Sequence, residues 1–228
     1  MTQTVLKFGW KWSLDELNSY ADKNKAIELN TFEGGKTTGN GYVLQHGVYY
    51  GQTVDGKRHG IGMVYCTSNN GSNQWLFECQ WQNGAPSNEG RYIQTWNNGW
   101  NKWEGTMDGA YTLTGNGSYI DYSGNKYEGG WKQGNYHGQG NYCNSGGNTY
   151  EGDWESGYKQ GKGKYITSSG QIYEGDWVKH EFSGQGRLTQ PDGSYCEGEW
   201  KDWKQIGWHN QYTTDGVYSN RVDLSPKK

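Results

Sequence analysis

Residues 127–140 read YEGGWKQGNYHGQG. The stretch combines two tyrosines, a tryptophan and a histidine, His137, with five glycines. Three interpretations compete for such a pattern: a loop that binds phosphate, a metal site that includes the histidine, or one copy of a structural repeat. The rest of the sequence decides between them.

The stretch recurs along the chain, with starts at residues 127, 150, 173 and 196 that are evenly spaced. Counted from the first residue of each copy as position 0, Trp occupies +4 and glycines occupy +11 and +13; the last copy keeps Trp200 and Gly207. Weaker copies precede them. Because a fixed period of this length is the signature of a repeat protein, we predict seven units over residues 49–216, with starts at residues 49, 77, 103, 127, 150, 173 and 196.

Each unit has the pattern of a β-hairpin. Positions 0, +2 and +4 alternate with polar residues, which predicts a strand with one buried face. Positions +7 to +11 are rich in turn residues, as in Gly134-Asn-Tyr-His-Gly138, and a second short strand follows. A lone hairpin is marginally stable in water, so we predict an all-β fold: an elongated, twisted, single-layer antiparallel sheet of stacked hairpins.

Composition supports a sheet held together by rings and glycines. The chain has 38 Gly, 13 Trp and 19 Tyr among 228 residues, whereas hydrophobic residues as a class reach only 31%. We expect the rings to form the core, the turn glycines to allow positive φ, and the glycine at +2 to leave room for a neighbouring ring. The framework residues are Tyr127, Gly129, Trp131, Gly138, Gly140, Tyr150, Gly152, Trp154, Gly161, Gly163, Tyr173, Gly175, Trp177, Gly184, Gly186 and Trp200.

Both ends of the chain differ from the repeats. Residues 1–48 are predicted to be a capping segment, with a short helix over 14–24 that starts at a capping box, Ser13-Leu-Asp-Glu16. Phe32-Glu-Gly-Gly35 resembles a degenerate repeat. Residues 217–228 are predicted to be a half-repeat and a tail.

Charge and cysteine usage exclude several classes of protein. The net charge is −3 and the pI is near 6.0, which argues against nucleic-acid binding. Neither a membrane-spanning run nor an apolar signal region is seen, so a cytoplasmic location is expected. Four cysteines without CxxC spacing indicate free thiols rather than disulfides or zinc ligands.

No pattern predicts catalysis, a metal or a cofactor. Gly34-Gly-Lys-Thr37 lacks the first glycine and the preceding strand of a phosphate-binding loop. His59 and His137 share position +10 in distant units and are predicted to be turn residues. Carboxylates at +1 and +3 are predicted to form a solvated ladder on the outer side of the sheet, with lysines between them. We therefore expect a protein that is not an enzyme, with no catalytic, metal or cofactor residues.

At these residues the chain resembles the MORN-repeat family, whose unit runs Tyr-Glu-Gly-x-Trp-x-x-Gly-x-x-His-Gly-x-Gly. The resemblance is specific at 127–140, 150–163 and 173–186, and it departs at Gln160 and Ser183, which stand at the histidine position. It implies an elongated β structure. It also implies similarity to MORN proteins of the cytoskeleton and cilia, such as those of radial-spoke heads.

Two classes of function follow, and a third is weaker. The first is a structural scaffold that binds other proteins of a multi-subunit assembly, with homo-oligomers formed through the terminal repeats. The second is a peripheral module that binds membranes or phosphoinositides; residues 49–216 carry 13 basic and 18 acidic residues, which disfavours anionic lipid. The third is a carbohydrate- or choline-binding aromatic module. The residues that bind a partner are not identified by the sequence.

Overall fold

The structure is a computed structural model that describes residues 27–37, 41–69 and 71–225. The chain divides into two compact units. Unit one contains the described residues up to Trp100 together with Glu104–Thr112, and unit two contains Asn101–Trp103 and Leu113 onwards. The predicted helix over residues 14–24 lies outside the described residues.

The described residues form strands joined by short turns. The strands are β1 (Glu28–Phe32), β2 (Gly35–Lys36), β3 (Val43–Leu44), β4 (Gly47–Val54), β5 (Lys57–Thr67), β6 (Gln74–Gln82), β7 (Ala85–Trp96), β8 (Gly99–Met107), β9 (Leu113–Asp121), β10 (Lys126–Lys132), β11 (Asn135–Cys143), β12 (Thr149–Glu155), β13 (Tyr158–Ile166), β14 (Ile172–Val178), β15 (Glu181–Thr189), β16 (Tyr195–Lys201), β17 (Lys204–Tyr212) and β18 (Tyr218–Asp223).

Sixteen strands belong to one sheet in the order β1, then β4 to β18 in sequence, while β2 and β3 pair with each other. The strand pairs are antiparallel, and β1 pairs with β4. The prediction of an all-β fold of antiparallel hairpins is confirmed.

In unit one, the core is a cluster of rings around Tyr111. Its ring lies 5.8 Å from Phe32, 5.6 Å from Phe77 and 6.1 Å from Trp81, measured between centroids. Phe32 and Phe77 are fully buried. Since Phe32 ends β1, the segment that precedes the repeats contributes directly to this core.

In unit two, each hairpin closes through a two-residue turn. Gln133 and Gly134 join β10 to β11 with φ of 51° and 74°, and Ser156 and Gly157 join β12 to β13 with φ of 51° and 86°. Two consecutive positive φ values are typical of type I′ turns, whose twist matches the twist of paired strands. Glycine at +7 is therefore the residue that suits this turn.

The turn is shorter than the sequence predicted, and the prediction of a turn over +7 to +11 is wrong. Gly129 pairs with Gly140 but Trp131 pairs with Tyr136, so one residue of β10 faces three residues of β11 in a bulge. Gly138 lies in this bulge with a φ of 70°. The glycine at +11 therefore allows a bulge inside a strand. From the sequence alone, such a glycine has the same appearance as a turn glycine.

The prediction that the two histidines at +10 are turn residues is wrong for the same reason. His137 lies in the bulge of β11 rather than in the turn, and His59 lies in β5. Positive φ at a neighbouring glycine marks both turns and bulges, so the sequence alone could not separate the two.

Candidate functional site: two faces of the repeat sheet

Unit two carries its aromatic residues on one side of the sheet, which we call the aromatic face. In the hairpin that starts at Tyr150, the tyrosine ring covers Gly163, where a Cβ atom would lie 2.5 Å from the ring. The Tyr150 hydroxyl donates a hydrogen bond of 2.9 Å to the carbonyl oxygen of Asp153. Room for the ring therefore comes from the glycine at +13 on the second strand, in addition to the glycine at +2.

The tryptophan at +4 joins a hairpin to the one before it in three repeats, whereas the indole nitrogen of Trp131 is buried without a hydrogen-bond partner among the described residues. The Trp177 indole N–H donates to the carbonyl of Gly163 over 3.1 Å, and Trp154 and Trp200 make the same bond to the preceding hairpin. The Trp177 ring also meets Tyr150 edge-on at 5.0 Å. The seven framework rings that are buried by these contacts are Tyr127, Trp131, Tyr150, Trp154, Tyr173, Trp177 and Trp200.

The framework glycines fall into two groups by exposure. Gly138 and Gly161 are exposed in the bulges, and the bulge glycine Gly184 is half-buried beside Asp176. The others are buried or half-buried near the tyrosine rings: Gly129, Gly140, Gly152, Gly163, Gly175 and Gly186.

Position +9, which the sequence analysis did not single out, contributes another side chain to the aromatic face. Tyr136 stacks on the ring at position 0 of its own hairpin with centroids 3.7 Å apart, and Phe182 does the same at 3.6 Å. In the hairpin between them, this position is occupied by Lys159.

Lys159 places its ammonium among three aromatic rings. Nζ lies 4.9 Å from the centroid of Tyr150, 4.5 Å from Tyr165 and 5.1 Å from Trp177. Burial lowers the pKa of Lys159 to about 8, because the charged form loses hydration. Ring faces attract the cation and offset part of that loss.

The turn residue His180 lies beside this cage. Its Nδ1 accepts a hydrogen bond of 3.2 Å from the backbone N–H of Lys159. The backbone N–H of His180 donates a hydrogen bond to the Lys159 carbonyl. Burial, and then the nearby charge of Lys159, lower the pKa of His180. The imidazole is therefore neutral at neutral pH and adds no second positive charge beside the cage.

In unit one, position +9 holds Arg58, which is 9% exposed. Its guanidinium lies 5.2 Å from the ring of Phe32 and 5.0 Å from that of Trp81. Glu33 accepts two hydrogen bonds from it, at 2.7 and 2.8 Å, and the carbonyl of Gly84 accepts two more. Hydrogen bonding to Arg58 lowers the pKa of the Glu33 carboxyl.

The opposite side of unit two carries the residues at +1, +3, +12 and +14, and we call it the charged face. Lys162 pairs with Asp176 at 2.6 Å, Lys164 with Glu174 at 3.3 Å, and Arg187 with Glu197 at 2.6 Å. These pairs join neighbouring hairpins. The predicted alternation of lysine with the carboxylates is present there.

The prediction that the +3 carboxylates are merely solvated is wrong. Asp153 Oδ2 accepts a 2.8 Å hydrogen bond from the backbone N–H of Lys162, and Asp176 Oδ2 accepts one of 2.9 Å from Gln185. Both donors lie directly after the bulge glycine. The aspartate thus satisfies a backbone group that the bulge leaves without a ladder partner.

An open groove of about 520 Å³ lies on unit two. Glu128, Asn141 and Glu151 face one another across it in adjacent strands, and Ile120 and Cys143 add apolar surface. Glu128, Asn141 and Glu151 are exposed. The groove therefore offers carboxylates and an amide over a shallow, partly apolar floor.

Metal-binding and nucleophilic groups are sparse in the described chain. No group of three or more His, Cys, Asp or Glu within residues 27–37, 41–69 and 71–225 could hold a metal ion. The four cysteines are free, and burial raises the pKa of the Cys66 thiol to about 12, which suppresses the reactive thiolate. No helix in the described part is long and apolar enough to cross a membrane.

The comparison with protein families identifies the repeated unit. The family described as MORN repeat matches residues 46–71, 127–149, 150–172 and 173–195. These four segments of the chain match the MORN repeat. No curated protein matches the chain.

The last repeat of the array replaces its central ring in a way that the sequence analysis missed. The repeat that starts at Cys196 has no tyrosine at position 0, and its +13 glycine is replaced by His209. His209 is fully buried, its ring covers Gly198, and its Nε2 lies 2.8 Å from the carbonyl oxygen of Glu199. The imidazole thus takes the place and the hydrogen bond of the tyrosine. The paired change at 0 and +13 was the available signal.

Proposed function

We propose that the protein is a non-catalytic scaffold that binds other proteins of a multi-subunit assembly through the charged face of its MORN repeats. The observation that supports this proposal is the contrast between the two faces of unit two. Most large rings of the aromatic face are buried against one another, whereas the charged face exposes Glu128 and Glu151 around an open groove. An exposed groove with polar walls is suited to a protein segment.

A cytoskeletal or ciliary assembly is the setting we propose. It rests on the resemblance of the repeats to MORN proteins of such assemblies. The same proposal places the protein in the cytoplasm, with homo-oligomers formed through the first or last strands as a second mode of assembly. Strand edges at the ends of a sheet leave backbone groups able to pair with another chain.

Membrane binding is the alternative, and the charged face gives it little support. Three basic residues of that face, Lys162, Lys164 and Arg187, are engaged in ion pairs with carboxylates of the next repeat. Attraction to anionic lipid depends on basic charge that is not already neutralised. A carbohydrate- or choline-binding role is weakened because the indole N–H groups of Trp154, Trp177 and Trp200 already bond to backbone carbonyls.

Proximity labelling in the source cell, followed by pull-down with purified protein, tests the scaffold proposal. The variant Glu128→Lys/Glu151→Lys reverses two charges in the groove, and Glu155→Lys/Glu181→Lys reverses two carboxylates outside it. We expect the groove variant to lose partners that the control retains, while both keep the wild-type melting temperature. Equal capture by both variants would contradict a role for the groove. Salt-sensitive flotation of wild type with phosphoinositide liposomes, without protein partners, would favour the membrane role.

A further inference from the structure

Position +9 of the repeat places a cation among aromatic rings twice, once in each unit. Arg58 does so in unit one and Lys159 in unit two. In two other repeats of unit two this position holds Tyr136 and Phe182, which stack on the tyrosine of their own hairpin, and in the last repeat it holds Gln205. The slot thus suits a flat ring, and its rings offer a cation no carboxylate to replace the water that it loses.

Arg58 obtains a carboxylate acceptor from a segment outside the regular repeats, in addition to the carbonyl of Gly84. Glu33 follows β1, and both of its carboxylate oxygens accept from the guanidinium at 2.7 and 2.8 Å. The side chain of Glu33 is 66% exposed, whereas that of Arg58 is 10% exposed. The residue that follows the first strand of the sheet therefore supplies a carboxylate from the solvent side to a buried cation.

Lys159 has the same surroundings without the acceptor. In the described part of the chain it makes no ion pair, and burial is the physical cause of its lowered pKa. Among the described residues its Nζ has no hydrogen-bond partner, and Lys159 is half-buried rather than fully buried. A desolvated ammonium that keeps three donors free is a site for a negatively charged acceptor.

The geometry points to Lys159 and its cage of Tyr150, Tyr165 and Trp177 as a binding site for an aspartate or glutamate side chain of an extended segment from a partner protein. The carboxylate would accept hydrogen bonds from Nζ, as Glu33 accepts from Arg58. The inference rests on the proposed protein-binding role and adds a contact on the aromatic face. The simpler role, in which the lysine stem only fills the slot, is separated from it by experiment.

The probe is a capped peptide with the sequence of residues 28–36, ELNTFEGGK, in which Glu33 stands in the context that serves Arg58. A matched peptide carries Gln in place of that glutamate. Binding to the full chain is followed by the NMR signals of the Trp177 indole and the Lys159 side chain. Lys159→Phe installs the residue type of Phe182 and removes the charge, and Lys159→Arg keeps the charge.

We expect the wild-type chain and Lys159→Arg to bind the glutamate peptide about tenfold more tightly than the glutamine peptide, as a charge-assisted hydrogen bond predicts. Lys159→Phe should remain folded and bind both peptides alike. Failure of the wild-type chain to bind, equal affinity for the two peptides, or an unchanged preference in Lys159→Phe would overturn the site.

Two further arms identify the source of the carboxylate and separate the two proposals. Acetate alone should not reproduce the signal changes at the peptide concentrations used; if it does, the site binds small carboxylates rather than a partner segment. If Lys159→Phe captures the same labelled proteins as wild type, the scaffold stands and the carboxylate site falls. If the groove variant loses its captured proteins but still prefers the glutamate peptide over the glutamine peptide, the result supports both the scaffold and the carboxylate site.

Discussion

The repeat that starts at Cys196 offers a sharp test of how the aromatic face is packed. In the regular repeat at Tyr150, a Cβ atom at +13 would lie 2.5 Å from the tyrosine ring. A tyrosine at position 0 and any side chain at +13 therefore exclude each other. Cys196→Tyr alone should force the new ring against His209, and His209→Gly alone should leave a cavity. The double variant restores the regular arrangement.

The expected magnitudes follow from burial. His209 is fully buried, so His209→Gly should cost about 3 kcal/mol, in the range of large-to-small core changes. Cys196→Tyr should cost about 1–3 kcal/mol through overpacking. Additivity would place the double variant roughly 5 kcal/mol below wild type, whereas we expect it to be at least as stable as wild type. One reason is that His209 Nδ1 is buried without a partner among the described residues, a cost that the double variant removes.

Urea unfolding followed by tryptophan fluorescence measures these differences, with hydrogen exchange of β16 and β17 as a local check because repeat arrays can unfold in steps. The coupling free energy between the two sites should be about 5 kcal/mol or more. Additive losses, with the double variant the least stable of the three, would refute the proposed exchange of rings.

Three other predictions test the packing, the bulge and the buried lysine. Gly175→Val should lower stability by about 3 kcal/mol or more, because its Cβ would lie 2.6 Å from backbone atoms of the next strand. The control Gly138→Asn, at an open site with positive φ, should have a melting temperature near that of wild type. Equal melting temperatures of the two variants would contradict the packing. Asp153→Asn should cost about 1–2 kcal/mol and speed amide exchange at the N–H it accepts from, and unchanged exchange there would count against the bulge contact. The pKa of Lys159 is lowered in the folded state, so unfolding takes up a proton between about pH 8 and 10. Wild type should therefore be less stable than Lys159→Phe by about 1–2 kcal/mol at pH 7 and gain on it as the pH rises through that window, as measured by urea unfolding at each pH; a constant difference would show that the lysine is not desolvated.

The fold could be predicted because the residues that build it repeat with their spacing. Trp177 and its counterparts recur at +4, and alternation around them marks the strand. The limits of the strands were harder to predict. Gly138 and Gly134 both have positive φ, but one shapes a bulge inside a strand and the other a turn, and the sequence shows only two glycines.

The candidate sites could be predicted less well because they depend on which positions touch. Position +9 holds Arg58, Tyr136, Lys159 and Phe182, which share no chemical type, so no repeat pattern marks it. The ring slot becomes visible only when the strands are paired. The exchange at Cys196 and His209 is invisible for the same reason, since position 0 and position +13 must first be known to contact each other.

The backbone bonds that Trp154, Trp177 and Trp200 make to the preceding repeat give this part of the array a direction. Trp177, which belongs to the following hairpin, packs against the ring of Tyr150 and donates a hydrogen bond to the carbonyl of Gly163. A ribosome releases the chain from its N-terminus, so every new hairpin waits for the next one before its ring is covered and its carbonyl is bonded. Assembly of unit two should thus advance one hairpin behind synthesis, and a nascent chain stalled between repeats should present one uncovered tyrosine to chaperones.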